Sequence, residues 1–179
     1  AQVSRWRSLF AKQVSEKQNH IYKYSALTIF FTTLWAVLTN YIIKFFVPEL
    51  RPFHVLDLAL DPKKALILDG LPVDTFPSDH ASVGMAVAMS TLLLWYHHNN
   101  REIKTVGRFF LITSMIMNIA RVTMGVHRPA DILWGIWVGL MLASSMMIPS
   151  IQRWMQSKIY DPLITRQEWL FWLFERKPW

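Results

Sequence analysis

From Tyr24 to Ile43 the chain runs for twenty residues without one charged side chain. A stretch of that length matches the thickness of a bilayer's hydrocarbon core. Three more uncharged stretches follow: Ala81 to Tyr96, Phe109 to Ala120 and Ile132 to Ile148. Each of these reaches spanning length if its polar flanks sit at the interface; Phe109 to Ala120 does so through Gly125 if Arg121 is tolerated. The competing reading is four buried helices of a soluble bundle. Such helices should each show a polar face, and these do not. The composition agrees, with 53% hydrophobic and 17% charged residues among 179. The expected fold is therefore all-α, a polytopic transmembrane bundle with four spanning helices and amphipathic N- and C-terminal helices, in a single domain covering 1–179.

The net charge of +7 fits nucleic acid, anionic lipid or a phosphate-bearing substrate. Its distribution favours a membrane. With the N-terminus inside, the inner segments 1–23, 97–108 and 151–179 hold thirteen Lys and Arg, and the outer side holds six. That asymmetry is the one expected of cytoplasmic loops. It removes the need for nucleic-acid binding. Residues 1–23 read as an interfacial segment with Trp6, Leu9, Phe10 and Val14 on one side. The tail 151–179 is expected in the cytoplasm, anchored by Trp154, Trp169, Trp172 and Trp179. The outer loop 48–79 carries five prolines and is expected to be a functional loop or a cap. There are no cysteines, so disulfides and thiolate chemistry are excluded.

The ionisable residues at the ends of the apolar stretches all fall on the outer side: Lys44, Arg51, Asp79, His80, Arg121, His127 and Asp131. Charges at membrane depth are expensive and usually functional. Lys44, Arg51 and Arg121 would repel one another if clustered alone. At about 4 Å two unit charges cost about 4 kcal/mol at an effective dielectric of 20. A phosphate reverses that sign and matches guanidinium geometry. Ser78 precedes a helix start, where free N–H groups also favour an anion; a plain N-cap is its other reading. Asp131 follows Pro129 in a first helical turn and could accept a hydrogen bond from His127, leaving the other ring nitrogen free to attack. His80 could protonate a leaving oxygen. Zinc on His80, His127 and Asp131 is the rival reading, and three nearby cations oppose it.

Three spaced motifs carry these residues: Lys44, six residues, Arg51-Pro52; Pro77-Ser78-Asp79-His80; and Arg121, five residues, His127, three residues, Asp131. The arrangement resembles the type 2 phosphatidic acid phosphatase (PAP2) superfamily, which includes integral membrane lipid phosphatases and vanadium haloperoxidases. The resemblance implies that His127 becomes a phosphohistidine, that Asp131 orients it, and that His80 is the general acid. It also implies that Lys44, Arg51, Ser78, Arg121 and Asp79 form the phosphate-binding set, with Asp79 standing where the family often has Gly. It implies neither metal nor other cofactor. Asp79 and Arg51-Pro52-Phe53 resemble the undecaprenyl diphosphate phosphatase branch. Ala120 stands where Ser is common, so a hydroxyl is missing. Membrane members commonly have two helices before the Lys motif; one is visible here, which implies a truncated N-terminus or a shortened variant. The expectation is a lipid phosphatase of a bacterial inner membrane with its site facing the periplasm, acting on undecaprenyl diphosphate. Phosphatidate, phosphatidylglycerol phosphate and lipid A phosphates are the alternatives, as are phosphotransfer to another lipid and noncatalytic binding or transport. Lipids are the expected partners.

Overall fold

The computed structural model describes residues 2–52 and 75–166. Every regular element among them is helical. They are α1 (Gln2–Phe46), α2 (Asp79–His98), α3 (Arg101–Thr123), α4 (Pro129–Met146) and α5 (Pro149–Met155), followed by a π-helical stretch, Gln156–Tyr160. The side chains of 1–15, on which the interfacial reading rests, lie outside the described residues. So do 53–74 of the outer loop and Trp169, Trp172 and Trp179 of the tail.

α1 is one continuous helix where the sequence suggested an interfacial piece followed by a span. No Gly or Pro interrupts residues 2–46. The helix ends ahead of Pro48, whose ring disfavours helical geometry in the preceding residue. Among the described residues three helices are long and apolar enough to cross a membrane: Gln18–Phe46, Arg101–Thr123 and Pro129–Met146. α2 is not among them, so the expected fourth span is not matched. It has 20 residues with Asp79 and His80 at one end and His97 and His98 at the other, so any stretch of spanning length within it includes at least two of these polar residues.

The chain divides into two compact units, Ile29–Ser145 and Ala1–Thr28 with Met146–Trp179. In the latter, Tyr24 hydrogen-bonds Asp161 and its ring meets the buried Tyr160 edge-on.

The larger unit carries all the candidate site residues. Its turn between α2 and α3 is two asparagines. Asn99 adopts the left-handed conformation (φ 51°) that Asn tolerates better than most residues and closes α2 with an N–H to the Trp95 carbonyl. The Asn100 side chain accepts hydrogen bonds from Glu102 and Ile103 N–H and starts α3. This short link makes α2 and α3 antiparallel neighbours. α4 approaches α2 through Gly135 and Gly139, one turn apart. A Cβ built on Gly135 would lie 2.6 Å from the Ser78 carbonyl oxygen and 2.8 Å from Ala81 Cβ. Only hydrogen fits there. Small residues that let helix backbones touch are the usual means of packing helices in lipid. The outward faces agree: Ile112, Ile116 and Ile119 of α3 and Leu133 of α4 are all exposed, while Asn40, Ser82, Ser114 and Asn118 are buried. This inside-out distribution suits a lipid solvent.

Candidate functional site

The site residues lie at helix ends. Lys44 is in the last turn of α1, His80 in the first turn of α2 and Arg121 in the last turn of α3. After Arg121 the chain doubles back. Val126 N–H and His127 N–H both reach the Arg121 carbonyl, at 3.1 and 3.4 Å. Gly125 makes the reversal possible with φ of +70°, where a side chain would be strained. His127 is thus folded back over Arg121. α4 begins at Pro129, and Asp131 sits in its first turn, as the sequence suggested. There its carboxylate accepts the Arg128 N–H at 2.8 Å. The Asp131 carbonyl accepts Ser78 N–H at 3.1 Å, tying the start of α4 to the start of α2.

Around His127 the contacts are specific. Its Nε2 faces two guanidinium groups: Arg51 Nη1 at 3.5 Å and Arg121 Nη1 at 3.4 Å. Arg51 is buried and also donates to the Val126 carbonyl at 3.2 Å. Arg121 reaches further, with Nη2 2.8 Å from His80 Nε2. One guanidinium therefore spans the two imidazoles, and both rings lie on the same side of the bundle.

The expected direct bond from His127 to Asp131 is replaced by a three-residue chain. Thr75 Oγ1 lies 2.9 Å from His127 Nδ1 and donates to Asp131 Oδ2 at 2.6 Å, while the direct Nδ1–Oδ2 distance is 3.7 Å. All three side chains are buried. Donor accounting then assigns the tautomer. A carboxylate only accepts, so the single Thr75 proton points to Asp131. The Thr75 oxygen must accept from Nδ1–H, and Nε2 keeps a lone pair directed at the two arginines. Sequence reasoning missed Thr75. Its one available signal was its place three residues ahead of Ser78, in a segment without periodicity. A backbone bond from Thr75 N–H to the Glu49 carbonyl (2.9 Å) holds it there, beside the Arg51 segment.

Lys44 is engaged differently from the other cations. It forms an ion pair with Asp79, whose second oxygen accepts from Asn40 at 3.0 Å. Asn40 also donates to Ser82. The three cations are therefore not without carboxylates, and Asp79 is the partner that the sequence reading overlooked. Ser78 holds the N-cap position of α2, but its hydroxyl makes no capping bond. That oxygen is fully buried and has no hydrogen-bond partner among the described residues. The hydroxyl therefore does not act as a plain cap. Partial burial, then the Arg121 charge, hold the His80 imidazole below its ordinary 6.5, and Asp79 opposes them. Among the described residues no three His, Asp or Glu side chains are grouped as metal ligands would be. His97 and His98 close α2 at the far end of the helix from His80; His54 lies outside the described residues.

The model of the PAP2 superfamily matches residues 25–154, which include every residue of the site. The chain belongs to the PAP2 superfamily. A curated protein of Escherichia coli (strain K12), named "Putative undecaprenyl-diphosphatase YbjG", is 31% identical over 106 residues, 59% of this chain and 49% of that protein. The chain spans about half the length of this curated relative. No solved structure matches significantly.

Proposed function

We propose that this PAP2 chain carries the catalytic site of an integral membrane phosphatase that cleaves a lipid phosphate or diphosphate at the outer face. The observation that carries the reading is the convergence on His127. Two guanidinium groups point at the nitrogen whose lone pair the Thr75–Asp131 chain leaves free. A phosphoryl group at that point would neutralise Arg51 and Arg121 while meeting the nucleophile.

The steps follow from the geometry. His127 Nε2 attacks phosphorus, an N–P bond forms and the bond to the leaving oxygen breaks. His80, held on the other arm of Arg121, gives that oxygen its proton. Asp131, through Thr75, holds the Nδ1 proton as the ring gains positive charge. Water then attacks phosphorus, gives its proton to His80 and breaks the N–P bond, releasing inorganic phosphate. Arg51, Arg121 and the Ser78 hydroxyl hold the oxygens throughout, a preorganised arrangement in which charge develops against fixed donors. Lys44 joins them if an incoming phosphate competes with Asp79.

The natural substrate is undecaprenyl diphosphate, cleaved to the monophosphate, in a bacterial inner membrane with the site on the periplasmic side. The relative's name and Asp79 support this choice. The test is inorganic phosphate release by the detergent-purified chain from a panel of undecaprenyl diphosphate, phosphatidate, phosphatidylglycerol phosphate and lipid A. His127→Ala should abolish release and leave a folded protein. Wild-type release from none of the panel, or undiminished release by H127A, would refute the reading. Labelled phosphate appearing in a second lipid instead of in solution would make the reaction a transfer.

A further inference from the structure

Arg51 lies beyond the end of α1, with Pro48 and Pro52 on either side, and neither proline has an N–H to offer. Two side chains of this segment reach the turn that leads into α4. Arg51 Nη1 donates to the Val126 carbonyl at 3.2 Å, and Glu49 Oε2 accepts from Arg128 Nη1 at 2.9 Å. Two residues back on one segment meets two residues on along the other, which is the register of antiparallel chains. In an extended chain alternate residues share a side, and Leu50 between them is exposed. The Glu49 backbone is engaged as well: its carbonyl accepts Thr75 N–H at 2.9 Å. Arg128 in turn gives its own N–H to Asp131 Oδ2 at 2.8 Å. Glu49 is therefore joined to both flanks of the His127–Thr75–Asp131 chain. The proposed chemistry uses neither Glu49 nor the Arg128 guanidinium.

We propose that Glu49 and Arg128 are positioning residues, and that their ion pair fixes the register in which Arg51 meets His127. The proposal rests on the reading of Arg51 as a phosphate-binding residue. Arg51 Nη1 is 3.5 Å from His127 Nε2, at the outer limit for such a contact. A slip of about 0.5 Å along the register takes it past useful length. The Glu49–Arg128 pair is the outer end of this clasp and the Arg51–Val126 bond its inner end. As a bare charge, Glu49 would oppose phosphate, because like charges repel. As a clasp it favours phosphate, by holding Arg51 where phosphate must sit. Arg128 and Glu49 are 43% and 39% exposed, so water and salt screen the pair in part. Exposed pairs shift an equilibrium by at most about fivefold. The clasp therefore tunes an affinity that Arg51 and Arg121 create.

The test reads binding, by calorimetric titration of the full chain in detergent with inorganic phosphate. Three forms carry the same net charge: wild type, a neutral double variant (Glu49→Gln with Arg128→Gln) and a reversed one (Glu49→Arg with Arg128→Glu). The neutral pair should bind phosphate about three- to fivefold more weakly than wild type. The reversed pair should return to within about twofold of wild type. Unchanged or tighter binding by the neutral pair, or a reversed pair as weak as the neutral one, would overturn the proposal. A further comparison separates positioning of Arg51 from general support of the fold. In an Arg51→Ala background the neutral pair should change phosphate affinity by less than about 1.5-fold, because the group it acts through is gone. A loss there as large as in the presence of Arg51 would overturn the proposal, as would a wild-type chain that binds no phosphate. Phosphate binding needs no turnover, so the two readings fail separately. If these differences hold while no lipid of the panel releases phosphate, the clasp stands and the phosphatase reading falls. If lipid is hydrolysed and the differences are missing, the reverse is true.

Discussion

Replacing Gly135 with alanine adds one methyl group at the tightest point between α4 and α2. The new Cβ would sit 2.6 Å from the Ser78 carbonyl oxygen, 2.8 Å from Ala81 Cβ and 3.2 Å from Ser82 N. Two of these are backbone atoms and the third is the stub of a fully buried alanine, so none can rotate away. Ordinary contact begins near 3.4 Å, and the two helices must part by about 0.8 Å. Overpacking of this kind destabilises by about 1–3 kcal/mol. Its catalytic effect should be larger. Asp131 lies one turn ahead of Gly135, and its carbonyl bond to Ser78 N–H is already 3.1 Å long. A displacement of 0.8 Å takes that bond beyond useful length. It also moves Asp131 away from Thr75 and His127 away from the start of α2. Misplacement by about 1 Å can cost about a hundredfold in rate. The assay pairs kcat, from phosphate release at saturating lipid, with the midpoint of thermal unfolding in detergent. Gly84→Ala is the milder comparison, because its new Cβ meets the Ser114 hydroxyl, which can swing aside, and Ser114 Cβ at 3.1 Å, which must give by only a few tenths of an ångström. G135A should lose about ten- to a hundredfold in kcat and unfold at lower temperature, while G84A unfolds close to wild type. Wild-type kcat and stability in G135A, or an equal destabilisation by G84A, would refute the claim that backbone contact at Gly135 positions the site.

Thr75→Val keeps the shape of Thr75 and removes its hydroxyl; kcat should fall about ten- to a hundredfold with KM little changed, and Thr75→Ser should restore most of it. Asp79→Asn releases Lys44 from its ion pair, so inorganic phosphate should inhibit severalfold more strongly, measured as its inhibition constant against lipid substrate. A general acid must enter the reaction protonated, and His80 holds its proton less tightly than a free imidazole. With tail-less phenyl phosphate as substrate, kcat/KM should therefore decline as pH rises through a value below 6.5, and His80→Asn should abolish that limb of the pH profile.

The helices and the charged site residues were legible because each leaves a local mark. Uncharged runs mark α3 and α4, and Pro129 marks the start of α4. The order of Lys44, Arg51, Ser78, His80, Arg121, His127 and Asp131 marked the residues that the helix ends bring together. What stayed hidden depends on contacts across long stretches of chain. Thr75 is 52 residues from His127 and 56 from Asp131, and a lone threonine in a proline-rich loop has no pattern of its own. The Lys44–Asp79 pair spans 35 residues. Reading Lys44 as one of three unpaired cations followed from counting local carboxylates, which cannot register a partner on another helix. The break expected between 1–23 and Tyr24 was a matter of polarity, and polarity alone does not end a helix that meets no Gly or Pro.

The two halves of the proposed chemistry sit on different helices, and this makes helix packing part of catalysis. His80 and Ser78 belong to the start of α2, His127 and Asp131 to the entry of α4, and Arg121 to the end of α3. A soluble enzyme could hold such elements together by burying apolar faces. In lipid that drive is absent, because the tails outside are as apolar as the residues inside. The larger unit uses close contact and polar pairing in its place. Gly135 and Gly139 bring α4 against the α2 backbone, and Ser78 N–H to the Asp131 carbonyl sets the register where they meet. Asn40, through Ser82 and Asp79, ties α1 to the same turn of α2. The buried polar contacts at the start of α2 therefore tie it to α1 and α4 and hold together the two halves of the proposed chemistry. Substituting Ser82 by alanine would make α2 a better apolar span by composition and, on this argument, a worse support for the site.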